Sequence, residues 1–150
     1  MLRRWQVEKW DRIIVQQYSV FHLKCTLRYA VYMTRDMDLM RAILIQVEKL
    51  PPLERWAAKP LDGYGVKEVV AHVQLAHDAG LAEAKFVPGA AMILRITNDG
   101  YDFLEASKQP TLWQQAKDQL VSQGLPITVA TIRAVLQGLI QHQLAKLGIA

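Results

Sequence analysis

Several features that identify common protein classes are scarce or missing in this chain. It has a single cysteine, Cys25, which excludes an internal disulfide framework and a zinc site built from several thiolates. No uncharged run approaches the roughly 20 apolar residues of a membrane-spanning helix. The first residues also lack the compact apolar segment and small-residue cleavage site of a secretory signal. We therefore expect a cytoplasmic protein without a membrane span.

Charge is also sparse, at 21% of the residues, whereas hydrophobic residues make up 51%. This composition excludes a disordered chain, because there is enough apolar surface to offset the conformational entropy of folding. A length of 150 residues matches one domain. The chain is therefore predicted to form one compact core with one or two appended elements.

The positive charge is concentrated at the beginning of the chain. Residues 1–35 carry seven cations and two anions, a net charge of +5, and the remaining residues carry −1, which together give the total of +4. Binding to nucleic acid depends on cations that displace counterions from phosphates. The electrostatic case for nucleic acid thus rests largely on the first segment.

Residues 1–32 differ from the rest, since they are rich in aromatic residues and cations and contain no glycine or proline. They are interpreted as an N-terminal extension. Met33 opens a sequence with good helix N-cap residues, and we hypothesise that it is the natural start. If the intact mass of the natively expressed protein were that of a chain beginning at Met1, this hypothesis would be contradicted.

The spacing of apolar residues predicts a mainly α fold with a small β-hairpin. Pro51 and Pro52 end the first helix, and Gly80 ends the second confident one. In chain order, the predicted elements are helices over 36–48, 53–58 and 66–79, strands over 81–87 and 92–97, and helices over 98–107, 112–122 and 128–147.

This order of elements is that of a winged helix-turn-helix domain followed by a C-terminal helical extension. The segment 70–81 resembles the recognition helix of small bacterial winged-helix repressors, which ends in Ala-Gly-Leu. Gly80 is expected to close the helix in a left-handed turn, and Leu81 to enter the core as the wing begins. We predict the winged-helix domain over 33–109 and a two-helix element over 110–150. Such domains also dock proteins, so the fold does not decide the function.

Several further motifs occur in one order along the chain: Arg35-Asp-Met-Asp-Leu-Met-Arg41, Gly63-Tyr64, Val69-Val-Ala-His72, Asp78-Ala-Gly-Leu81, the stretch 94–106, and Trp113. Together they resemble the bacterial and phage family named domain of unknown function 2513. The chain departs from it at Asn98 and Tyr101, where the family usually has tryptophan and histidine, so a role based on those residues does not carry over. The family has no established function, and the resemblance therefore implies a fold and a genetic setting.

If the helix over 66–79 reads DNA, its exposed side faces the major groove and the hairpin lies along the backbone. The candidate DNA-binding residues are Lys67, Glu68, Ala71, His72, Gln74, Lys85 and Arg95. Glutamine pairs with adenine and lysine with guanine. However, this helix has one lysine against two or three carboxylates, and the hairpin tip has no cation. A protein-protein interaction module without DNA binding is therefore the alternative.

No residue pattern points to catalysis, a cofactor, a metal or a small-molecule ligand. His72 and His77 are five residues apart and lie on different sides of a helix, so a structural role is favoured for His72. Asp99 and Asp102 fall at the start of a helix, where the helix dipole explains them without acid–base chemistry.

The final helix has an apolar face wide enough to pack on its own domain and on a second copy of the chain. The candidate dimer residues are Ile132, Leu136, Leu139 and Ile140. Proteins that read two-fold DNA sites often pair through terminal helices. Double-stranded DNA and a second copy are therefore the candidate partners. For this helix, packing in the core alone is the favoured interpretation and the dimer contact is the alternative.

Overall fold

A computed structural model describes residues 33–149 of the chain. The predicted N-terminal extension over 1–32 lies outside the described residues, as does Ala150. From Arg35 onward the chain forms one compact unit. This unit contains five α-helices and one three-stranded antiparallel sheet, so the predicted mainly helical fold with a small β-hairpin is confirmed.

The elements follow one another in the predicted order, with one exception described below. They are α1 (Met37–Glu48), β1 (Trp56–Ala57), α2 (Val66–Asp78), β2 (Ala82–Val87), β3 (Ala90–Ile96), α3 (Asn98–Ser107), α4 (Pro110–Ser122) and α5 (Val129–Lys146). The strand order in the sheet is β1-β3-β2. Apart from that exception, the observed ends differ from the predicted ones by no more than two residues.

The exception is the short helix predicted over 53–58, which is wrong. Glu54 N donates to Pro51 O over 3.1 Å and closes a turn, in which Leu53 adopts a left-handed φ of 69°. Trp56 is buried at 4% exposure and pairs with Ile93 of β3. A run of six residues is too short for its apolar period to separate a helix from a strand.

Without this short helix, the segment before α2 differs from that of the expected helix-turn-helix. The chain between α1 and α2 forms the strand β1 and a tight turn in which Leu61 and Tyr64 bond to each other's backbone. Within residues 33–149, the hairpin expected of a wing is therefore present, but the short helix expected before α2 is not.

One hydrophobic core joins the helices to one face of the sheet. Each element contributes at least one buried side chain, for example Ile43, Trp56, Val69, Ala82, Ile93, Phe103, Leu120 and Leu136 in chain order. Burial of a large apolar side chain stabilises a fold by roughly 1.5–3 kcal/mol. Residues on both sides of position 109, from Met37 to Leu136, contribute to this core.

The junction between α2 and the hairpin has the predicted geometry. Gly80 has a φ of +73°, and its N–H donates to His77 O over 2.9 Å. The N–H of Leu81 donates to Ala76 O over 2.9 Å, which completes a Schellman cap. Leu81 is fully buried, and its carbonyl accepts from Thr97 N at 3.0 Å. The junction therefore directs the chain from α2 into the hairpin and ties it to the start of α3.

The C-terminal helices complete the core. Trp113 of α4 is buried at 3% exposure and contacts Phe103 edge to face, with ring centroids 6.0 Å apart. Ile132 and Leu136 of α5 are fully buried within their own chain. The prediction that these two residues form a dimer contact is therefore wrong, whereas Leu139 and Ile140 are only half-buried.

Candidate nucleic-acid interface

The helix α2 is buried on one side only. Its core side consists of Val69, His72, Val73 and Ala76. The opposite side presents one row at helical spacing, consisting of Lys67, Ala71, Gln74 and Asp78, in which Ala71 is half-buried and the others are exposed. The amide Nε2 of Gln74 donates to Asp78 Oδ1 over 2.9 Å. This row, which we call the α2 row, carries one positive and one negative charge.

The structure places His72 away from this row. It is 3% exposed, its Nε2 accepts from Asp36 N at 2.9 Å, and its Nδ1 lies 2.8 Å from Glu68 O. These partners assign a neutral ring with its proton on Nδ1. The DNA-binding prediction for His72 is wrong because position 72 lies in the core stripe of α2, and the structural interpretation is confirmed.

Glu68 is exposed, and its side chain caps the start of α2. Its Oε2 accepts from Gly65 N at 2.7 Å, which satisfies a backbone donor ahead of the first turn. A carboxylate in this position also interacts favourably with the helix dipole. The contacts of Glu68 therefore account for its presence without DNA.

The hairpin beside α2 offers few cations. Glu83 and Arg95 are opposite each other on β2 and β3, and the guanidinium donates twice to the carboxylate, with Nε 2.9 Å from Oε2. Both side chains are exposed, so this ion pair adds little stability, but it offsets the charge of Arg95. Lys85 is exposed on β2 opposite Met92, and the tip from Val87 to Ala90 is uncharged.

Charges in the described part of the chain are balanced. Residues 33–149 contain twelve lysines and arginines and twelve aspartates and glutamates. The lysines near the α2 row are Lys59 before the helix, Lys67 on it and Lys85 on the hairpin. The local charge is therefore sufficient for only a few phosphate contacts.

The motif residues that carry the family resemblance make a polar network outside this interface. Asp36 caps α1, with its Oδ1 accepting from Asp38 N at 2.8 Å and from Leu39 N at 3.2 Å. Its Oδ2 accepts from the hydroxyl of Tyr64. This hydrogen bond, together with burial, raises the pKa of Tyr64 to about 12. The contacts of Asp36 with Tyr64 and His72 tie the start of α1 to the turn before α2 and to α2 itself.

A second part of the network ties α1 to α3 and α4. Asp38 accepts from Trp113 Nε1 and from Lys117 Nζ, the latter at 2.8 and 2.9 Å. Arg41 donates from Nε to Ser107 O at 2.7 Å and from Nη2 to Lys108 O at 3.0 Å, at the end of α3. Sequence reasoning missed these roles of Asp38 and Arg41, because their partners lie more than 60 positions away along the chain. The motif residues thus hold the fold together.

The stability that this network gives to the fold depends on pH through the carboxyl group of Asp38. Burial acts to raise its pKa, but the hydrogen bonds from Lys117 and Trp113 and the charges of Lys117 and Arg41 outweigh burial and lower the pKa. The ionised carboxylate therefore stabilises the fold above its unfolded pKa of about 3.9, and this stabilisation is lost as the pH falls through the lower folded value.

Replacement of Asp38 by asparagine is expected to lower the free energy of unfolding by about 1 kcal/mol at pH 7. The side chain is 54% exposed, so solvent screening reduces the 1.5–3 kcal/mol typical of hydrogen bonds to charged groups. Urea denaturation at pH 7 and at about pH 2 measures the difference, which should shrink at the lower pH as the carboxylate is protonated. Asp102→Asn on the exposed side of α3 is the matched control. An equal loss at both pH values would contradict the assignment.

Two other kinds of site receive no support. In residues 33–149, no three or more histidine, cysteine, aspartate or glutamate side chains are grouped so that they could hold a metal ion. The helices of that same part are all too short or too polar to cross a membrane.

The fold and the network define a mainly helical protein with a small antiparallel sheet. A family model described as "Hypothetical protein (DUF2513)" matches residues 34–126, and the chain therefore belongs to this family. It is also similar to an uncharacterized protein of Haemophilus influenzae, with 29% identity over 119 residues that cover 75% of this chain and 100% of the relative. No solved structure matches. The predicted family resemblance is thus confirmed.

Proposed function

We propose that this protein is a non-enzymatic, regulator-like protein that binds double-stranded DNA through α2 and the β2–β3 hairpin. The observation that supports this proposal is the exposed α2 row, on a helix that contacts both hairpin strands and is buried on its other side. The major groove of B-DNA is about 12 Å wide and admits an α-helix of about 10–12 Å diameter.

The chemistry of the row suits a few direct contacts. Gln74 can pair with adenine once its amide leaves Asp78, and Lys67 can contact guanine or a phosphate. Lys59 before the helix and Lys85 on the hairpin are the proposed phosphate contacts. Residues 1–32 carry a further net charge of +4, which adds attraction to any polyanion.

A protein-docking module is the second candidate. It is favoured by the equal numbers of cations and anions in residues 33–149 and by the uncharged hairpin tip. In this case the α2 row and the hairpin contact a protein, and DNA is not a ligand.

Salt dependence separates the two candidates. Fluorescence anisotropy with the full chain and a labelled random-sequence duplex measures the association constant for DNA. This constant should fall as the salt concentration rises from about 50 to about 300 mM, because salt weakens phosphate contacts over this range. Three phosphate contacts correspond to a slope of about −3 in log K against log salt, to which residues 1–32 add. Lys67→Gln and Lys85→Gln should each reduce the steepness of this slope by about 1.

Lys49→Gln provides the control, because Lys49 is an exposed lysine that belongs to neither α2 nor the hairpin. It follows α1, and its neighbour Glu48 is bonded to Lys108 at the end of α3. It should leave the slope unchanged. No binding at the lowest salt would contradict DNA binding and favour protein docking. Binding that neither Lys67→Gln nor Lys85→Gln changes would assign the interaction to residues 1–32 instead of α2.

A further inference from the structure

All charged side chains of the β2–β3 hairpin lie on one face of it. From Ala82 to Ile96 these are Glu83, Lys85 and Arg95. Glu83 and Lys85 are two positions apart on β2, where exposed and less exposed residues alternate, and Arg95 is the cross-strand partner of Glu83. Side chains at such positions share one side of a sheet. All three are exposed, so this face presents two cations and one carboxylate to solvent.

The carboxylate of Glu83 engages the donors through which Arg95 would bind a phosphate. The guanidinium Nε lies 2.9 Å from Glu83 Oε2, and Nη2 donates to Glu83 Oε1. Arginine binds phosphate oxygens with the same pair of parallel N–H donors. Because an ion pair between exposed side chains adds little stability, little free energy is lost when a phosphate replaces the carboxylate.

We propose that Arg95 exchanges Glu83 for a DNA phosphate when the hairpin contacts DNA, and that Glu83 thereby limits the affinity of the site. This inference rests on the proposed DNA binding and names a residue pair that regulates it. In the free protein the ion pair offsets the charge of Arg95. In the complex the guanidinium donates its two hydrogen bonds to phosphate oxygens, and the carboxylate of Glu83 is left beside the DNA, where it repels the phosphates.

The exchange has a distinctive dependence on salt. Arg95 releases a counterion from DNA when it binds a phosphate, whereas the carboxylate of Glu83 attracts a cation from solution once its ion pair is broken. The two effects oppose each other, so Arg95 strengthens binding without a steeper fall of the association constant with salt. When the carboxylate is removed, only the release from DNA remains. An Arg95 that binds a phosphate without leaving Glu83 would instead change the slope equally with and without the carboxylate.

Four forms of the full chain test the exchange by fluorescence anisotropy with the random-sequence duplex: the parent, Glu83→Gln, Arg95→Gln and the double variant. Glu83→Gln should bind more tightly than the parent and make the slope of log K against log salt steeper by about 1. Its advantage over the parent should therefore fall about five-fold between about 50 and about 300 mM salt. Arg95→Gln should weaken binding with little change in slope. The slope of the double variant should return to that of the parent.

Glu105→Gln is the matched control for net charge. Glu105 is also an exposed carboxylate bonded to a cation, Lys108, but it lies on α3. This variant should steepen the slope much less than Glu83→Gln. Melting temperatures of all forms should stay close to that of the parent, because both ion pairs are exposed. An equal effect of the two glutamate variants on the slope would overturn the exchange. So would an effect of Arg95→Gln on the slope that is the same in both backgrounds.

Failure of the exchange can be told from failure of the proposed function. If Lys67→Gln reduces the steepness of the slope but Glu83→Gln leaves the slope unchanged, α2 binds DNA and Arg95 does not exchange its partner. If none of the forms binds at the lowest salt, the proposed DNA binding is wrong and the exchange falls with it.

Discussion

Replacement of Gly100 by alanine is expected to lower the free energy of unfolding by about 3 kcal/mol or more, at the upper end of the cost of overpacking. A Cβ at this position would lie 1.9 Å from Leu81 O and 2.6 Å from Ile96 Cγ2. The carbonyl of Leu81 cannot easily move away, because it accepts the hydrogen bond from Thr97 N. The helix α3 would have to leave the junction between α2 and the hairpin. Urea denaturation measures the loss.

Gly138→Ala is the matched control for this substitution. Gly138 lies within α5, and a Cβ there meets nothing within 4 Å. Because alanine favours the helix over glycine, this variant should be more stable by about 1 kcal/mol. Equal stability of Gly100→Ala and the parent would show that α3 does not begin against the backbone of Leu81.

His72→Leu is expected to lower the free energy of unfolding by about 2–3 kcal/mol, although leucine is apolar and of similar size. The side chain would no longer accept from Asp36 N, and a polar group left without a partner in the interior costs about 1–3 kcal/mol. Loss of the link between α1 and α2 adds to this cost. Chemical denaturation at pH 7 measures the change.

Two variants test the reason for this loss. His72→Gln offers an acceptor near the position of Nε2 and should recover part of the stability. Gln74→Leu, on the exposed side of the same helix, should change the free energy of unfolding by no more than about 0.5 kcal/mol. If His72→Leu cost no more than Gln74→Leu, the hydrogen bond between α1 and α2 would not stabilise the fold.

The polar network explains why the family motifs do not indicate an activity. Asp36, Asp38, Arg41, Tyr64 and His72 each contact another part of the same chain, through a helix cap, a buried ring or a backbone carbonyl. Their side chains are therefore engaged in contacts that stabilise the fold. Residues that act on a partner are to be sought on the α2 row and the hairpin, which the network does not cover.

Local patterns predicted the elements well where the chemistry is local. The apolar period of α1 and the left-handed Gly80 depend on residues within a few positions of one another, so their positions could be inferred. The segment 53–58 was misassigned because Trp56 pairs with Ile93, which lies far along the chain. Strand pairing over such a distance leaves no local period to detect.

The candidate sites were predicted less completely than the elements. The helical period alone gave the exposed positions of Lys67 and Gln74. The same period puts His72 in the core with Val69 and Val73, which agrees with the structural role and excludes His72 from the candidate DNA contacts. For α5, the apolar stripe was correctly identified, but the stripe does not show where the supporting helices end. Ile132 and Leu136 were therefore assigned to an interface that their burial excludes.

The amino-acid order by itself determined the helices, the hairpin and the turn between them, because spacing, caps and glycine conformations act over a few residues. Only the tertiary structure decided that β1 replaces the expected short helix, that His72 joins α1 to α2, and that α5 is buried along half of its apolar face. These outcomes depend on contacts between residues distant in the chain, where packing and hydrogen bonding override local preference.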